Sequence, residues 1–268
     1  MPYISSLHIY PIKSCAGQEL QKASLDSRGI YLDRSWVIIN KMGKIITQRE
    51  VPALSTVQPI LNDSDLSISA PNMEALSVSC QITGTTHEVD IWGDICQGID
   101  QGNEAADWFS TFLGNSSRLL FFNPIFVRSV DPCYASGSED QVGFADSFPI
   151  LIISEGSLAD LNARLAKSVQ MNRFRPNIVV ADCPPYAEDK WKKIQIGDVD
   201  LDIVKPCGRC STILVEQETG LSDKEPLRTL AKYRIFEGPS PTFGQNALHH
   251  DPGCLQRGMA VKILDIHE

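Results

Sequence analysis

Two cysteines three positions apart are the strongest chemical signal in this sequence. Cys207 and Cys210 enclose Gly208 and Arg209, and Lys205 lies two residues before the first thiol. Cations beside a thiol favour the thiolate, which is the form that ligates soft metals and attacks electrophiles. The spacing and the basic context therefore indicate metal or thiol chemistry.

Three interpretations of this cysteine pair follow from the residues alone. A structural zinc site needs four ligands, but the sequence has no second pair of this spacing, and His249, His250 and Cys254 are unusually spaced for such a site. A thioredoxin-like redox pair opens a helix, whereas the β-branched residues after the pair predict a strand over residues 211–215. Free cysteines also pack as small apolar side chains, which is the third interpretation.

Cations and small polar groups recur in five other segments of the chain. They are Lys13 and Ser14 in a glycine-containing turn, Arg34 in a predicted strand, Arg49 after a predicted hairpin, Arg173, Arg175 and Asn177 before another strand, and Gln245 and Asn246 beside a glycine. Arginine makes planar, bidentate contacts with phosphate. In a chain of formal net charge -9, these groups indicate a small anionic ligand rather than nucleic acid.

Composition indicates a globular protein without a membrane span. The chain has 268 residues, 43% of them hydrophobic, which suits one large domain or two small ones. No run approaches the ~18 apolar residues that a transmembrane helix needs, and the first five residues lack the features of a signal peptide. The sequence has eight cysteines, of which only one pair is close. We therefore predict reduced thiols and a cytoplasmic location.

The predicted elements that position these residues are mostly strands. Strands are expected over residues 3–10, 29–39, 44–47, 56–61, 66–70, 86–92, 177–181, 194–196, 201–204, 211–215 and 259–264. Helices are expected over residues 104–113, after the N-cap residue Ser154, and from Pro226. Short strands with frequent turns predict a barrel or sandwich. A domain boundary is expected near residues 122–130, around Asn123 and Pro124.

Several motifs together carry a resemblance to a known family. They are Tyr10-Pro11-Ile12-Lys13-Ser14-Cys15, Asp33-Arg34-Ser35-Trp36, Phe174-Arg175-Pro176-Asn177, Gly208-Arg209-Cys210, Glu218-Thr219-Gly220, Lys224-Glu225-Pro226-Leu227 and Phe243-Gly244-Gln245. The chain resembles the MOSC proteins with an additional N-terminal β-barrel domain, which include the mitochondrial amidoxime-reducing component and its bacterial relatives. The resemblance implies a mainly β fold with a few helices (α+β). A β-barrel-like domain, residues 1–122, would pack on a MOSC β-barrel domain, residues 123–268.

The resemblance also implies a molybdenum cofactor, a molybdopterin whose dithiolene holds the metal. Cys210 corresponds to the family's single cysteine ligand, and a soft thiolate suits such a metal; Cys207 would be a neighbour. The positions that match residues holding the pterin and its phosphate are Lys13, Ser14, Arg34, Arg175 and Asn177, with Arg209 a candidate by adjacency. Asp146 matches an acidic position near the metal, where it could assist proton delivery.

The activity that the resemblance implies is reduction of N-hydroxylated small molecules, N–OH to N–H, with the cofactor carrying the redox chemistry. The chain ends at Glu268 without a plant-type iron–sulfur cysteine cluster, so a separate electron-donor protein is expected. Two other functions stay open. Cys210 could carry sulfur as a persulfide, or the protein could bind the cofactor without catalysis.

Overall fold

The protein is mainly β, as expected. The structure, a computed structural model, describes residues 1–80, 83–135, 137, 140–236 and 238–267. The strands are β1 (Tyr3–Ile9), β2 (Gln18–Leu20), β3 (Lys22–Asp26), β4 (Gly29–Ile30), β5 (Trp36–Asn40), β6 (Gln58–Leu61), β7 (Asp65–Ser69), β8 (Leu76–Ser79), β9 (Thr86–Ile91), β10 (Asp94–Asp100), β11 (Ser117–Phe122), β12 (Ile150–Ser154), β13 (Ile178–Ala181), β14 (Trp191–Ile196), β15 (Val199–Gly208), β16 (Thr242–His249), β17 (Gly253–Gln256) and β18 (Val261–Ile266). The α-helices are α1 (Asn103–Leu113), α2 (Glu155–Arg164) and α3 (Leu227–Leu230).

An eight-stranded sheet joins both ends of the chain. Its strand order is β18-β14-β15-β16-β12-β13-β1-β2, and its neighbours are antiparallel except for β12 and β13, which are parallel. The first strand, β1, pairs with β13, and β3 pairs with β17. The first three strands are therefore bound into the later part of the chain, and the division at residue 122 stays a prediction.

Two smaller sheets belong to the first part of the chain. Their strand orders are β5-β11-β10-β9 and β6-β7-β8. Helix α1 packs its apolar stripe into a hydrophobic core shared with these sheets, where Trp108 and Phe109 lie with Trp36. The Trp36 and Phe121 rings meet edge to face at 4.8 Å, a favoured aromatic geometry. This core fixes the loops before and after β5, which reach the site described below.

The three predicted helices are confirmed. Helix α1 begins one residue earlier than expected, at Asn103, and α3 follows Pro226. Ser154 caps α2, since its Oγ accepts a hydrogen bond from the backbone N–H of Ser157 at 3.1 Å, which satisfies one of the free donors of the first turn. Across the described ranges, no helix combines the length and apolarity needed to cross a bilayer.

The strand expected over residues 211–215 is wrong. Residues Ser211–Leu214 form a short 3₁₀-helix instead, with Cys210 at its N-cap. The buried guanidinium of Arg173 donates to the carbonyl oxygens of Ile213 and Leu214 at 3.3 and 3.2 Å. These tertiary hydrogen bonds take the place of a sheet ladder and override the β-propensity of the side chains. The preceding strand β15 runs past residue 204 to Gly208, so Cys207 lies on a strand.

Candidate functional site

One cavity collects the eight residues to which the sequence analysis gave roles at a site, whereas Arg173 and Gln245 are not in its lining. It has a volume of about 360 Å³. The nominated residues that line it are Lys13, Ser14, Arg34, Asp146, Arg175, Asn177, Arg209 and Cys210. They come from turns nearly 200 positions apart, and the sheet pairing of β1 with β13 and of β15 with β16 brings them together. Their assigned roles remain predictions.

Three of these residues have left-handed backbone conformations. Ser14, Arg34 and Arg175 have φ values of 71°, 46° and 57°. This region is uncommon for residues other than glycine and is costly when the side chain is large. Such residues persist only where surrounding contacts hold them, and they cluster at functional sites. The turns that carry these side chains are therefore shaped by the site.

Two arginines line one side of the cavity and pack on a buried tyrosine, and we call the three residues the arginine wall (Tyr10, Arg34 and Arg175). Both guanidinium groups lie over the Tyr10 ring, at 4.4 Å for Arg34 and 4.2 Å for Arg175. Arg34 forms an ion pair with Asp33 and donates to Asn177 Oδ1 at 3.0 Å. Arg175 Nη1 donates to the backbone oxygen of Cys15 at 2.5 Å. These contacts fix both cations against an aromatic ring.

The arginine wall carries more positive charge than its neighbours neutralise. Burial, together with the charge of Arg34, lowers the pKa of Arg175 to about 10. Burial also raises the pKa of Tyr10 to about 12, so its hydroxyl stays neutral. Among the described residues, Asp33 is the one carboxylate ion-paired with this wall. Two adjacent cations with one paired carboxylate favour an incoming anion.

Asn177 holds Arg34 of the arginine wall in place through hydrogen bonds. Its Oδ1 accepts from Arg34 Nη1 and from the backbone N–H of Leu151 at 3.2 Å. Its Nδ2 donates to the backbone oxygen of His8 at 3.3 Å. A buried amide needs such partners, and these tie Arg34 to strands β1 and β12. Asn177 therefore orients Arg34, in addition to lining the cavity.

A second side of the cavity contains the Lys13–Asp146 ion pair and Arg49, with Trp92 beside them, and we call these four residues the acidic corner (Lys13, Arg49, Trp92 and Asp146). Lys13 Nζ forms an ion pair with Asp146 Oδ1 and donates to the backbone oxygen of Phe144 at 2.7 Å. Trp92 Nε1 donates to the same Asp146 oxygen at 2.9 Å. The Arg49 guanidinium lies over the Trp92 ring at 4.1 Å. The carboxylate is thus the centre of this corner.

Asp146 is held in its ionised form. Its side chain is 61% exposed toward the cavity, yet surrounding protein atoms displace water and would raise its pKa. The charge and hydrogen bond of Lys13, the hydrogen bond from Trp92 and the charge of Arg49 outweigh this effect and hold the pKa well below its usual range. Burial lowers the pKa of Lys13. Within the pair, Lys13 is the proton-bearing member at neutral pH.

Sequence reasoning missed the buried arginine that holds the Asp146 loop. Arg128 Nη1 donates to the backbone oxygens of Gly143 and Ala145 at 2.9 and 2.6 Å, and Nη2 donates to that of Asp146 at 3.0 Å. Its other contact is an ion pair with Asp94 at 2.8 Å. No motif marks Arg128, because its function depends on carbonyls that only the fold brings near it.

The two cysteines of the pair have different surroundings. Cys210 is exposed, and its Sγ donates to Thr212 Oγ1 at 3.2 Å. Cys207 is half-buried, and its Sγ accepts from Arg209 Nη1 at 3.0 Å. Arg209 Nη2 donates to the backbone oxygen of Phe174 at 2.7 Å. The Cys210 thiol is therefore the accessible one, whereas Cys207 holds a neighbouring cation.

The lining fits a metal group that brings most of its own ligands and an anionic tail. Among the described residues, no three His, Cys, Asp or Glu side chains form a group that could hold a metal ion, so the zinc interpretation gains no support. The cations that line the cavity, including two that sequence reasoning did not nominate as site residues, are Lys13, Arg34, Arg49, Arg175, Lys205 and Arg209, against one carboxylate, Asp146. Arg209 Nε is buried without a hydrogen-bond partner in the described part of the chain. One exposed thiol and these cations suit a soft metal with an attached phosphate.

Comparison with known proteins agrees with this chemistry. The sequence matches the MOSC N-terminal beta barrel domain over residues 1–116 and the MOSC domain over residues 139–262. It is 38% identical to mitochondrial amidoxime-reducing component 1 of Mus musculus, over 97% of this chain and 82% of that protein, and 37% identical to the Homo sapiens protein of the same name, with the same coverage.

A plant relative has a different name. The chain is 32% identical to the molybdenum cofactor sulfurase of Arabidopsis thaliana, over 88% of this chain but 32% of that protein. These comparisons support the molybdenum cofactor implied by the sequence. The two animal relatives are mitochondrial by name, and the cytoplasmic location of this chain stays a prediction.

Proposed function

The chain belongs to the family of MOSC proteins that carry an N-terminal MOSC β-barrel domain, and we propose that it is a molybdenum-cofactor-dependent reductase of N-hydroxylated compounds. The observation that carries the proposal is the exposed Cys210 thiol in a cavity lined by six cations. A thiolate suits the metal, and the cations suit the phosphate of the pterin. The relatives named as amidoxime-reducing components favour this chemistry.

Each side of the cavity has a part in this proposal. Cys210 would ligate the metal, and the arginine wall would hold the anionic part of the cofactor, with Ser14, Asn177 and Arg209 supporting it. When bound, the cofactor supplies the two-electron redox change. The protein contributes a fixed thiolate, cationic anchors and a restricted opening.

The acidic corner would manage protons. Reduction of N–OH to N–H takes up two electrons and two protons and releases one water, and we assign the electrons to a separate donor protein. An ionised Asp146 accepts a hydrogen bond from the substrate but has no proton to give. Lys13, whose pKa burial lowers, is the better proton donor; Asp146 would orient the substrate and hold Lys13 in place, and solvent would return the proton to Lys13.

The proposal is tested on protein produced in cells that make the cofactor. Molybdenum content is measured first, and reduction of an amidoxime is then followed with a reduced viologen dye as electron source. We expect stoichiometric molybdenum and formation of the amidine. Molybdenum-loaded protein that accepts electrons but reduces no N-hydroxylated compound would be a non-catalytic cofactor binder, and the reductase proposal would fail.

Sulfur transfer is the second candidate. The relative named molybdenum cofactor sulfurase and the accessible Cys210 thiol favour it. In this reaction the Cys210 thiolate would attack the outer sulfur of a persulfide on a separate donor, releasing the donor thiol, and carry that sulfur as its own persulfide. Mass spectrometry of protein isolated without reductant distinguishes the two functions, since a persulfide on Cys210 without molybdenum supports sulfur transfer and stoichiometric molybdenum supports the reductase.

A further inference from the structure

Trp92 has an unusual position at the tip of the hairpin between β9 and β10. Trp92 and Gly93 form its two-residue turn, with φ values of 57° and 100°. Turns of this kind need positive φ at both residues and favour Asn followed by Gly. A bulky tryptophan at the first position is a backbone outlier. Contacts made by its side chain must hold it there.

Those contacts are all made with residues that line the cavity, and Trp92 itself lies beside the lining rather than in it. Trp92 Nε1 donates to Asp146, the Arg49 guanidinium covers part of the ring at 4.1 Å, and Lys13 Nζ lies 5.9 Å from the ring centroid. All three partners line the cavity. Trp92 nevertheless remains 52% exposed. An aromatic surface is therefore fixed beside the ionised carboxylate and left open to solvent.

We propose that Trp92 is a specificity residue. It binds a planar, π-conjugated group attached to the substrate carbon that bears the N–OH group. Stacking on an indole ring gives flat groups a more favourable binding free energy than small alkyl groups. The product amidine is a planar cation, which suits both the electron-rich ring and the negative charge of Asp146. This inference rests on the proposed reductase function and names its substrate class as aryl-conjugated N-hydroxy compounds.

The test compares an aryl and a methyl substrate that share one reacting group, benzamidoxime and acetamidoxime, on molybdenum-loaded protein. Trp92→Ala should raise the KM of benzamidoxime about 3- to 10-fold while shifting that of acetamidoxime less than about twofold; any loss of kcat through the missing hydrogen bond to Asp146 should be equal for the two substrates. Trp92→Phe keeps a ring and loses the hydrogen bond to Asp146, and it should restore most of the preference for the aryl substrate.

A merely structural role gives a different pattern. If Trp92 serves only to hold Asp146, then Ala and Phe variants lose activity alike and for both substrates, and the inference fails. Tyr31→Ala is the matched control, since Tyr31 is an aromatic residue of similar exposure, 57%, that is not among the hydrogen-bond partners of Asp146; it should leave both KM values unchanged.

Binding of the products gives a readout independent of turnover. Calorimetric titration with benzamidine and acetamidine should show that Trp92→Ala weakens benzamidine selectively, by about the same 3- to 10-fold. Equal weakening of both amidines, or none, overturns the inference. Wild-type protein that binds benzamidine through Trp92 but reduces neither amidoxime would refute the reductase proposal while sustaining the aryl subsite.

Discussion

The arginine wall and the acidic corner belong to one cavity but differ in how far their charges are neutralised. On the wall, two arginines share the Tyr10 ring and one ion-paired carboxylate, Asp33. In the corner, one carboxylate, Asp146, accepts from Lys13 and Trp92 and feels the charge of Arg49. The wall is left with unneutralised positive charge, whereas the corner holds a stable anion.

We interpret this difference as a division of roles, with the arginine wall binding the cofactor and the acidic corner assisting the reaction. An excess of buried cations attracts an anion throughout the neutral pH range, because guanidinium groups stay charged there even when burial lowers their pKa. A lysine–carboxylate pair can instead pass a proton, because burial lowers the lysine pKa. The comparison predicts that changes on the wall alter cofactor content and that changes in the corner alter turnover.

The largest effect is expected at the Cys210 thiol. Cys210→Ser should reduce turnover at least about 1,000-fold, because a hydroxyl does not replace a soft thiolate ligand. Cys207→Ser, whose sulfur only accepts from Arg209, should be much milder. Turnover per chain and molybdenum content measure both, with circular dichroism to check the fold. Equal losses in the two variants would contradict the ligand assignment.

Asp146→Asn tests the corner. We expect turnover to fall about 100-fold, a common loss for a group that assists proton transfer. Molybdenum content should remain that of the wild type, because the arginine wall is intact. The separation of roles is wrong if Asp146→Asn loses cofactor and activity in the same proportion.

Arg175→Ala tests the wall. Charge-assisted hydrogen bonds contribute about 1.5–3 kcal/mol, so cofactor affinity should fall about 10- to 100-fold. The molybdenum that is retained should turn over at close to the wild-type rate. Arg257→Ala is the control, since this exposed arginine pairs with Glu19 away from the cavity. Unchanged molybdenum content in Arg175→Ala would make that arginine purely structural.

Thr212→Val tests whether the hydrogen bond between Thr212 and the Cys210 thiol affects turnover. The Thr212 hydroxyl is 3.2 Å from Cys210 Sγ and can donate to the thiolate once the proton has left. Losing one such hydrogen bond, about 1 kcal/mol, should change kcat by about fivefold with molybdenum retained. Thr56→Val, an exposed hydroxyl bonded to its own turn, should leave kcat unchanged.

The smallest effect concerns stability and pH. The pKa of Asp146 is lowered in the folded protein, so its ionised form stabilises the fold above the unfolded pKa, near pH 4, and this contribution disappears as pH falls through the folded pKa. Because the side chain is 61% exposed, solvent screening keeps the contribution below about 1 kcal/mol. Denaturant unfolding of wild type and Asp146→Asn should differ at pH 7 and converge at low pH; a constant difference would contradict the ion pair.

Local sequence signals predicted much of the fold. Ser154 caps α2 as its side chain chemistry requires, and the apolar stripe of α1 is buried through Trp108 and Phe109. The strand expected after Cys210 failed because Arg173, distant in sequence, binds the carbonyls of that segment. The motifs also nominated eight cavity residues, but not Arg128 or Trp92, whose partners are brought near only by folding.

The sequence by itself determined which reactive groups the protein contains: a pair of cysteines, several arginines and the motifs of one family. These depend only on residue types and short spacings. Only the tertiary structure decided which thiol is exposed, which carboxylate is held in its ionised form and which cations are left unneutralised. Those properties depend on burial and on distances of a few ångströms between side chains far apart in the chain, and electrostatic interactions change steeply over such distances.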